Sequence, residues 1–280
     1  MITLSIIVAT HNRPQLLKKC LASLHQQLTK DTELIVVDNY PQKTAKNIVS
    51  NFKNTIYLFE KNTGLSFARN TGWKKANGKY VAYIDDDSIA DSNFVGSILN
   101  FIKKEPKIEA FGGSYSRHSN KKIPFWFPES YGTMNNGKTV KKLIIGSEWL
   151  SGTSMIFKKS LLKDINGFNN KLGMIGNKVS YGEETDLLIR LSLAGIPIYY
   201  DPKIKVSHFL ADKKINLIWL IQDAFRRGQS TFFIQNKYPK LFANKSPIKK
   251  PTTKQNLAQK IISLILLVSF AMGKTYAKIN

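Results

Sequence analysis

Over the first hundred residues, short apolar runs alternate with amphipathic stretches. Leu4–Ala9 is a β-branched apolar run of strand length, and Glu33–Asp38, Ile56–Phe59 and Tyr80–Ile84 repeat the pattern. Between the first two runs, Leu16, Leu17, Cys20, Leu21 and Leu24 recur at helical spacing behind Pro14, a residue suited to a first helical turn. Thr44–Phe52 and Leu65–Ala76 also read as helices, the second stopped by Asn77-Gly78. This strand–helix alternation predicts an α/β fold with a mostly parallel sheet covered on both faces. Such sheets bind ligands beyond the carboxyl ends of their strands. Thr10, Asp38 and the triplet Asp85-Asp86-Asp87 all fall just past predicted strand ends.

The second half is less regular. Phe111–Lys142 is rich in Gly, Ser, Asn, Lys and aromatic residues and reads as a long mobile excursion, the kind of loop that tends to be functional. A strand is expected within Ile144–Phe157, a helix over Glu184–Ala194, and short strands at Ile198–Tyr200 and Ile204–Ser207. From Lys213 the pattern turns helical and basic, with Ile215, Leu217, Ile218, Ile221, Ala224 and Phe225 on one apolar face. Lys249-Lys250-Pro251 reads as a hinge before a last helix, Leu257–Met272.

Composition narrows the classes. The 280 residues carry a net charge of +23, yet 42% are hydrophobic, too many for a disordered basic tail. A single cysteine, Cys20, excludes a disulfide framework and any zinc site built on several thiolates. The N-terminus lacks the basic start and small-residue cleavage site of a signal peptide. The longest apolar segment, Ile261–Gly273, has 13 residues and falls short of the roughly 18 of a spanning helix. The expectation is a cytoplasmic, cationic protein drawn to an anionic partner, either nucleic acid or acidic lipid.

Three features carry chemistry. Three adjacent carboxylates at the end of a buried strand are costly unless a cation joins them, and oxygen ligands favour Mg²⁺ or Mn²⁺; a solvated acidic turn is the plain alternative. Glu183, Glu184 and Asp186 open a helix, where they either serve a reaction or simply complement the helix dipole. His208 follows a short strand and is either structural or a metal ligand.

The order of the motifs is informative. Val8-Ala9-Thr10-His11-Asn12-Arg13-Pro14 comes first, then Val36-Val37-Asp38-Asn39, Asn62-Thr63-Gly64, Ala68-Arg69-Asn70-Thr71-Gly72 and Ile84-Asp85-Asp86-Asp87. Gly182-Glu183-Glu184-Thr185-Asp186-Leu187, Arg190-Leu191, Pro202 and His208 complete the series. Over about residues 1–210 this series resembles the family 2 glycosyltransferases of GT-A fold. The resemblance implies an inverting enzyme that uses a nucleotide-sugar donor with Mn²⁺ or Mg²⁺. It implies a catalytic domain over 1–211, with residues 1–110 as the nucleotide-binding half and 111–211 as the acceptor half. A basic helical extension, 212–280, would follow and associate with membrane. By position, Thr10, Asn12 and Arg13 would line the nucleotide pocket, Asp38 would meet the base, most often uracil, and Asn62 and Arg69 would border the nucleotide. Asp85 and Asp87 would be the ends of a D-x-D motif, Asp87 on the metal, with Asp85 or Asp86 on the ribose or reaching the metal through water. The general base would be Glu184, with Glu183 its competitor, and His208 would complete the metal shell. Arg226 or Arg227 would reach the diphosphate, Trp126 the acceptor, and Asp186 the acceptor or its own helix.

Two other classes are weighed against this one. A nucleotidyltransferase acting on sugar phosphates usually has a Gly-rich loop after its first strand, and Thr-His-Asn-Arg-Pro has none. A nucleic-acid-binding protein would suit the charge, but no helix-turn-helix, zinc finger or aromatic RNA-binding motif is present. The charge is also uneven: residues 213–260 hold eleven Lys and Arg against one acid, Asp223, directly before the apolar segment. That arrangement suits a protein lying on the anionic inner face of the cell membrane, where a lipid-linked glycan acceptor would be met.

Overall fold

The computed structural model describes residues 1–176, 180–243 and 256–279. Its first half follows the predicted alternation: β1 (Leu4–Thr10), α1 (Pro14–His25), β2 (Thr32–Asp38), α2 (Lys46–Val49), β3 (Thr55–Phe59), α3 (Leu65–Lys75) and β4 (Tyr80–Asp85). Then come β5 (Ser88–Ala90), α4 (Phe94–Lys104), β6 (Ala110–His118), β7 (Lys141–Lys142), β8 (Met155–Lys158), α5 (Lys159–Asp164), α6 (Glu183–Leu193) and β9 (Ile198–Phe209). The chain continues through α7 (Leu217–Lys237), α8 (Pro239–Ala243) and α9 (Leu257–Ile279). Among the described residues the strands join one sheet in the order β3-β2-β1-β4-β8-β6-β9-β5, with β7 on β9. The β3-β2-β1-β4 half is parallel, β8 is antiparallel to β4 and β6, and β6 runs parallel to β9.

Strand alternation divides β1 between two cores. Leu4, Ile6 and Val8 face α1 and α4, packing on Leu17, Leu21, Leu24, Phe94 and Ile98. Ile7 faces the opposite layer of α3, α5 and α6, with Ala68, Trp73, Leu161, Leu188 and Leu191. Helix α3 lies so close to the sheet that a Cβ on Gly72 would sit 2.6 Å from Ile7 Cγ2. Asn70 turns inward to bond Phe168 and Asn170, so both of these motif residues serve packing.

Several expectations need correction. The excursion at Phe111–Lys142 begins as the central strand β6. Gly112 and Gly113 mark a close approach there rather than a loop, because a Cβ would lie 2.4 Å from Ser154 O and 1.9 Å from Ile204 O respectively. The two short strands after Ala194 are one bent strand, β9, whose register against β6 shifts between Gly112 and Ser114. The Thr44–Phe52 helix shrinks to α2, and only the last residues of Ile144–Phe157 pair as β8, behind a 3₁₀ turn at Gly152–Ser154. Helix α4, not expected, buries Phe94, Val95, Ile98 and Phe101 on one face. The last helix is also longer than its apolar run. α9 has 23 residues, with a window of mean hydropathy 1.5, long and apolar enough by those measures to cross a membrane. Only 17% of that window is buried, so it is no core helix. The proposed hinge at Lys249-Lys250-Pro251 lies outside the described residues. Phe127, Leu210, Leu220 and Ile262 form a third cluster that seats α7 and α9 on the excursion, with Trp126 packed against it.

Candidate active site

Strand β4 ends at Asp85, which is partly exposed, and the turn to β5 presents Asp86 and Asp87. Each takes a different partner. Asp86 is 4% exposed and accepts from Thr10 Oγ1 at 2.7 Å and Arg13 Nη1 at 3.1 Å. The same Arg13 atom donates to Asp87 Oδ2 at 2.9 Å. Thr10 and Arg13 come from the loop after β1, where Asn12 takes a left-handed φ of 54° that Asn tolerates, just before Arg13. Burial pushes the Asp86 carboxyl up to about 7, although Arg13 and Thr10 oppose the rise.

Strand pairing brings His208 in from 121 positions away. Ser88 pairs with His208 across the β5–β9 ladder, and His208 Nε2 stands 3.1 Å from Asp87 Oδ1. Burial raises Asp87, but the His208 charge and then Arg13 outweigh it and hold the carboxyl well below the usual range. Burial likewise disfavours a charged His208, and Asp87 more than compensates, raising it above its ordinary value.

A second set converges on Arg69, which is 2% exposed. Its Nη1 donates to Glu183 Oε1 at 3.1 Å; its Nη2 donates to Asp85 Oδ1 at 3.1 Å and Glu184 Oε1 at 3.3 Å. One guanidinium from α3 thus joins the end of β4 to the start of α6. Gly152 makes room: a Cβ there would lie 2.0 Å from Glu184 Oε1 and 2.2 Å from Arg69 Nη2. Gly182 provides the left-handed residue that starts α6, with φ 111°. Burial, then the Glu183 charge, push Glu184 up to about 7 against the pull of Arg69. The Glu183 side chain is 7% exposed and that of Glu184 27%.

Donor atoms of Asp85, Asp87 and His208 lie within 4.8 Å of one another. Asp87 Oδ1 is buried and, among the described residues, has no hydrogen bond; its approach to His208 has ion-pair distance without hydrogen-bond alignment. The carboxylates of Asp85 and Asp87, the latter with its orphaned buried Oδ1, and one imidazole fit a small divalent cation such as Mn²⁺ or Mg²⁺.

The other expected residues are spread around this centre. Asn12 and Asn62 are exposed, and Asn62 O accepts from Asn39 Nδ2 at 2.8 Å. Asp38 has no exposed surface; its oxygens accept from Tyr40 N, Ala45 N and Tyr57 Oη, so it shapes the loop after β2. Asp186 is fully buried beneath Arg190, Lys237 and Tyr238. Arg227 pairs with Asp223 at 2.7 Å and lies over the Tyr131 and Tyr181 rings, whose hydroxyls donate to the same carboxylate. Arg226 turns to another surface, over Trp219. Trp126 packs beside Phe127.

Sequence reading misses three contributors. Gly152 lies in a stretch read as strand. Tyr115 of β6, in the presumed loop, has its ring 5.9 Å from His208. Lys214 is near enough to Asp87 and Arg13 to feel both charges; burial lowers its pKa while Asp87 raises it, leaving it below its ordinary value. A basic residue a few positions after His208 was the one signal available for Lys214.

The family model for glycosyl transferase family 2 matches residues 5–165. A glucosyl-dolichyl phosphate glucuronosyltransferase of Haloferax volcanii is 22% identical over 253 residues, covering 86% of this chain and 80% of that protein. A GalNAc(5)-diNAcBac-PP-undecaprenol beta-1,3-glucosyltransferase of Campylobacter jejuni is 28% identical over 197 residues, 67% of this chain and 59% of its own. Among solved structures, the mannosyltransferase PcManGT of Pyrobaculum calidifontis, in complex with GDP-Man and Mn²⁺, superposes with a TM-score of 0.61 at 16% identity, covering 98% of this chain and 72% of that one. S. aureus TarS 1-349 in complex with UDP-GlcNAc gives 0.58 at 16% identity, over 97% and 81%. With the family model spanning more than half of the chain, this protein belongs to glycosyltransferase family 2 and is a glycosyltransferase of GT-A fold.

Proposed function

We propose that the protein is a metal-dependent, inverting glycosyltransferase. It moves a sugar from a nucleoside-diphosphate donor, with UDP as the nucleotide, to a hydroxyl of a glycan or lipid-linked acceptor in cell-surface or extracellular polysaccharide synthesis. The observation that carries the reading is the buried Arg69 guanidinium, which holds the D-x-D carboxylate Asp85 and the two candidate bases in one cluster.

The roles follow from position and charge. Thr10, Asn12, Arg13 and Asn62 border the nucleotide, and the loop folded by Asp38 forms the base end of the pocket. Asp85, Asp87 and His208 would hold Mn²⁺ or Mg²⁺, which when bound supplies positive charge against the departing diphosphate. Arg13, Lys214 and Arg227 add fixed cations on that side. Asp86 stays with Thr10 and Arg13 and keeps their loop closed on the strand end, or reaches the ribose. Glu184 takes the proton of the acceptor hydroxyl, because it is the more accessible of the two glutamates and its raised pKa suits a base near neutral pH. Glu183 stays beneath it as a counter-charge for Arg69.

Lipid linkage is supported by the Haloferax and Campylobacter relatives, whose names carry dolichyl phosphate and PP-undecaprenol substrates. The basic stretch and the exposed apolar helix α9 support a peripheral position on the cytoplasmic face of the membrane.

The test is a panel of nucleotide sugars with Mn²⁺ or Mg²⁺, scored for nucleotide release and, by NMR, for the anomeric configuration of the product. Release with one donor class, lost on chelation and reduced at least ~100-fold in Glu184→Gln and Asp87→Ala, is expected. Wild-type rates in both variants, or retention at the anomeric carbon, would sink the reading.

A further inference from the structure

A channel of about 500 Å³ lies between α7 and α9, remote in sequence from the acid cluster. Ile221, Phe225 and Arg226 line it from α7, and Ile265, Val268 and Met272 from α9. Gln222 and Ser269 complete the lining, at i, i+1, i+4, i+5 on α7 and i, i+3, i+4, i+7 on α9, so each helix contributes one face. Backbone contacts hold the two helices together beside it. Ser269 Oγ donates to Ile221 O at 2.7 Å. A Cβ on Gly228 would lie 2.1 Å from Phe270 O, and one on Gly273 2.0 Å from Phe225 O. The outer wall is open, with Val268 52% and Met272 60% exposed.

Set into these apolar walls is one permanent cation. Arg226 Nη1 is buried and has no hydrogen-bond partner among the described residues. Its guanidinium lies 5.8 Å over the Trp219 ring, whereas the adjacent Arg227 has Asp223 as its counter-ion. A buried charged donor without an acceptor is unfavourable, and a bound anion is the direct remedy. The walls demand hydrocarbon and the cation demands an oxyanion, so the complementary ligand is an anionic amphiphile. The rest of α9 favours a membrane source over a soluble one, since Leu257, Ile261, Leu264 and Ile279 are also more than half exposed.

We propose that the α7–α9 channel binds one hydrocarbon chain of a phosphorylated membrane lipid, with the lipid phosphate on Arg226. The proposal builds on the lipid-linked reading above and adds a defined lipid site outside the catalytic cleft.

The experiment is calorimetric titration of the full chain with dodecyl phosphate below its micellar concentration, without donor or metal. Dodecyl maltoside and inorganic phosphate are the comparison ligands. Arg226→Gln removes the charge, and Val268→Trp fills the channel from its exposed wall. Dodecyl phosphate is expected to bind at least tenfold more tightly than either comparison ligand, and each variant to lose at least tenfold. Equal affinity for dodecyl maltoside shows that Arg226 reads no phosphate; equal affinity for inorganic phosphate shows that the channel takes no chain. Either result overturns the proposal, as does undiminished binding in both variants. If Arg226→Gln does not fold, Val268→Trp and the comparison ligands still decide. Because no donor is present, loss of lipid binding alongside intact sugar transfer refutes the channel alone, and the converse refutes the transferase reading alone.

Discussion

Arg69 stands among three carboxylates with 2% of its surface exposed, and its removal leaves them facing one another. Arg69→Ala is expected to destabilise the fold by about 3–5 kcal/mol in urea unfolding, the usual consequence of stranding buried charge. Arg69→Lys keeps the charge but loses the fork that reaches Asp85 and Glu183 from different nitrogens, so it should recover stability in part and turnover hardly at all. Glu184 predicts a pH dependence. A base works only when ionised, and burial with the Glu183 charge places this carboxyl at about 7. Turnover should therefore climb about tenfold per unit below that point and level off above it, in a pH–rate profile with saturating donor. A flat profile from pH 5.5 to 8 would remove Glu184 from the role. The acidic members of this site were legible because their neighbours announce them: a buried strand runs into Asp85–Asp87, and a glycine precedes the helix of Glu183 and Glu184. The partnership of Arg69 with residues 114 and 115 positions later was not legible, since no local pattern records which distant acid a buried arginine meets.

Among elements, β6 shows how close packing can pass for irregularity. Its Gly112-Gly113 pair has the composition of a loop, yet those positions let the 3₁₀ turn before β8 and strand β9 come within contact of the backbone. Gly113→Ala would drive a Cβ into Ile204 O and is expected to cost about 1–3 kcal/mol or more, read as a lower urea midpoint with an unchanged m-value. The parallel half was readable because its strands are continuous apolar runs separated by amphipathic helices. The second half was not, because β8 is four residues long and β7 two, below the length at which periodicity speaks. The β5–β9 ladder also delivers a candidate ligand. His208→Ala should weaken Mn²⁺ binding by at least ~10-fold in calorimetry while leaving the fold intact, since the ring is an edge neighbour and not core.

In the molecule as a whole, two buried carboxylates fasten the C-terminal helices to the layer of α6 and to the excursion. Asp186, two residues after Glu184, accepts from Lys237 Nζ at 2.5 Å and Tyr238 Oη at 2.7 Å at the far end of α7. Asp223 of α7 gathers Tyr131 from the excursion and Tyr181 from the segment leading into α6. Asp186→Asn should cost about 3 kcal/mol and loosen α7 in hydrogen exchange, whereas Lys237→Met, on a half-exposed partner, should cost under about 1 kcal/mol. Burial favours the neutral acid, but Lys237, Tyr238 and Arg190 hold Asp186 below its ordinary value. The stability it gives is thus full at neutral pH and lost only as the medium falls below the carboxylate range. The position of His208 has one more consequence, for biosynthesis. A ribosome that has released the chain only through Ala194 has exposed every aspartate of the triplet and both glutamates, but not the strand that supplies the imidazole. Contacts so far apart in sequence form late. Until β9 docks, the nascent chain lacks the third member of the proposed cation site, so a truncated or stalled product cannot bring Asp85, Asp87 and His208 together.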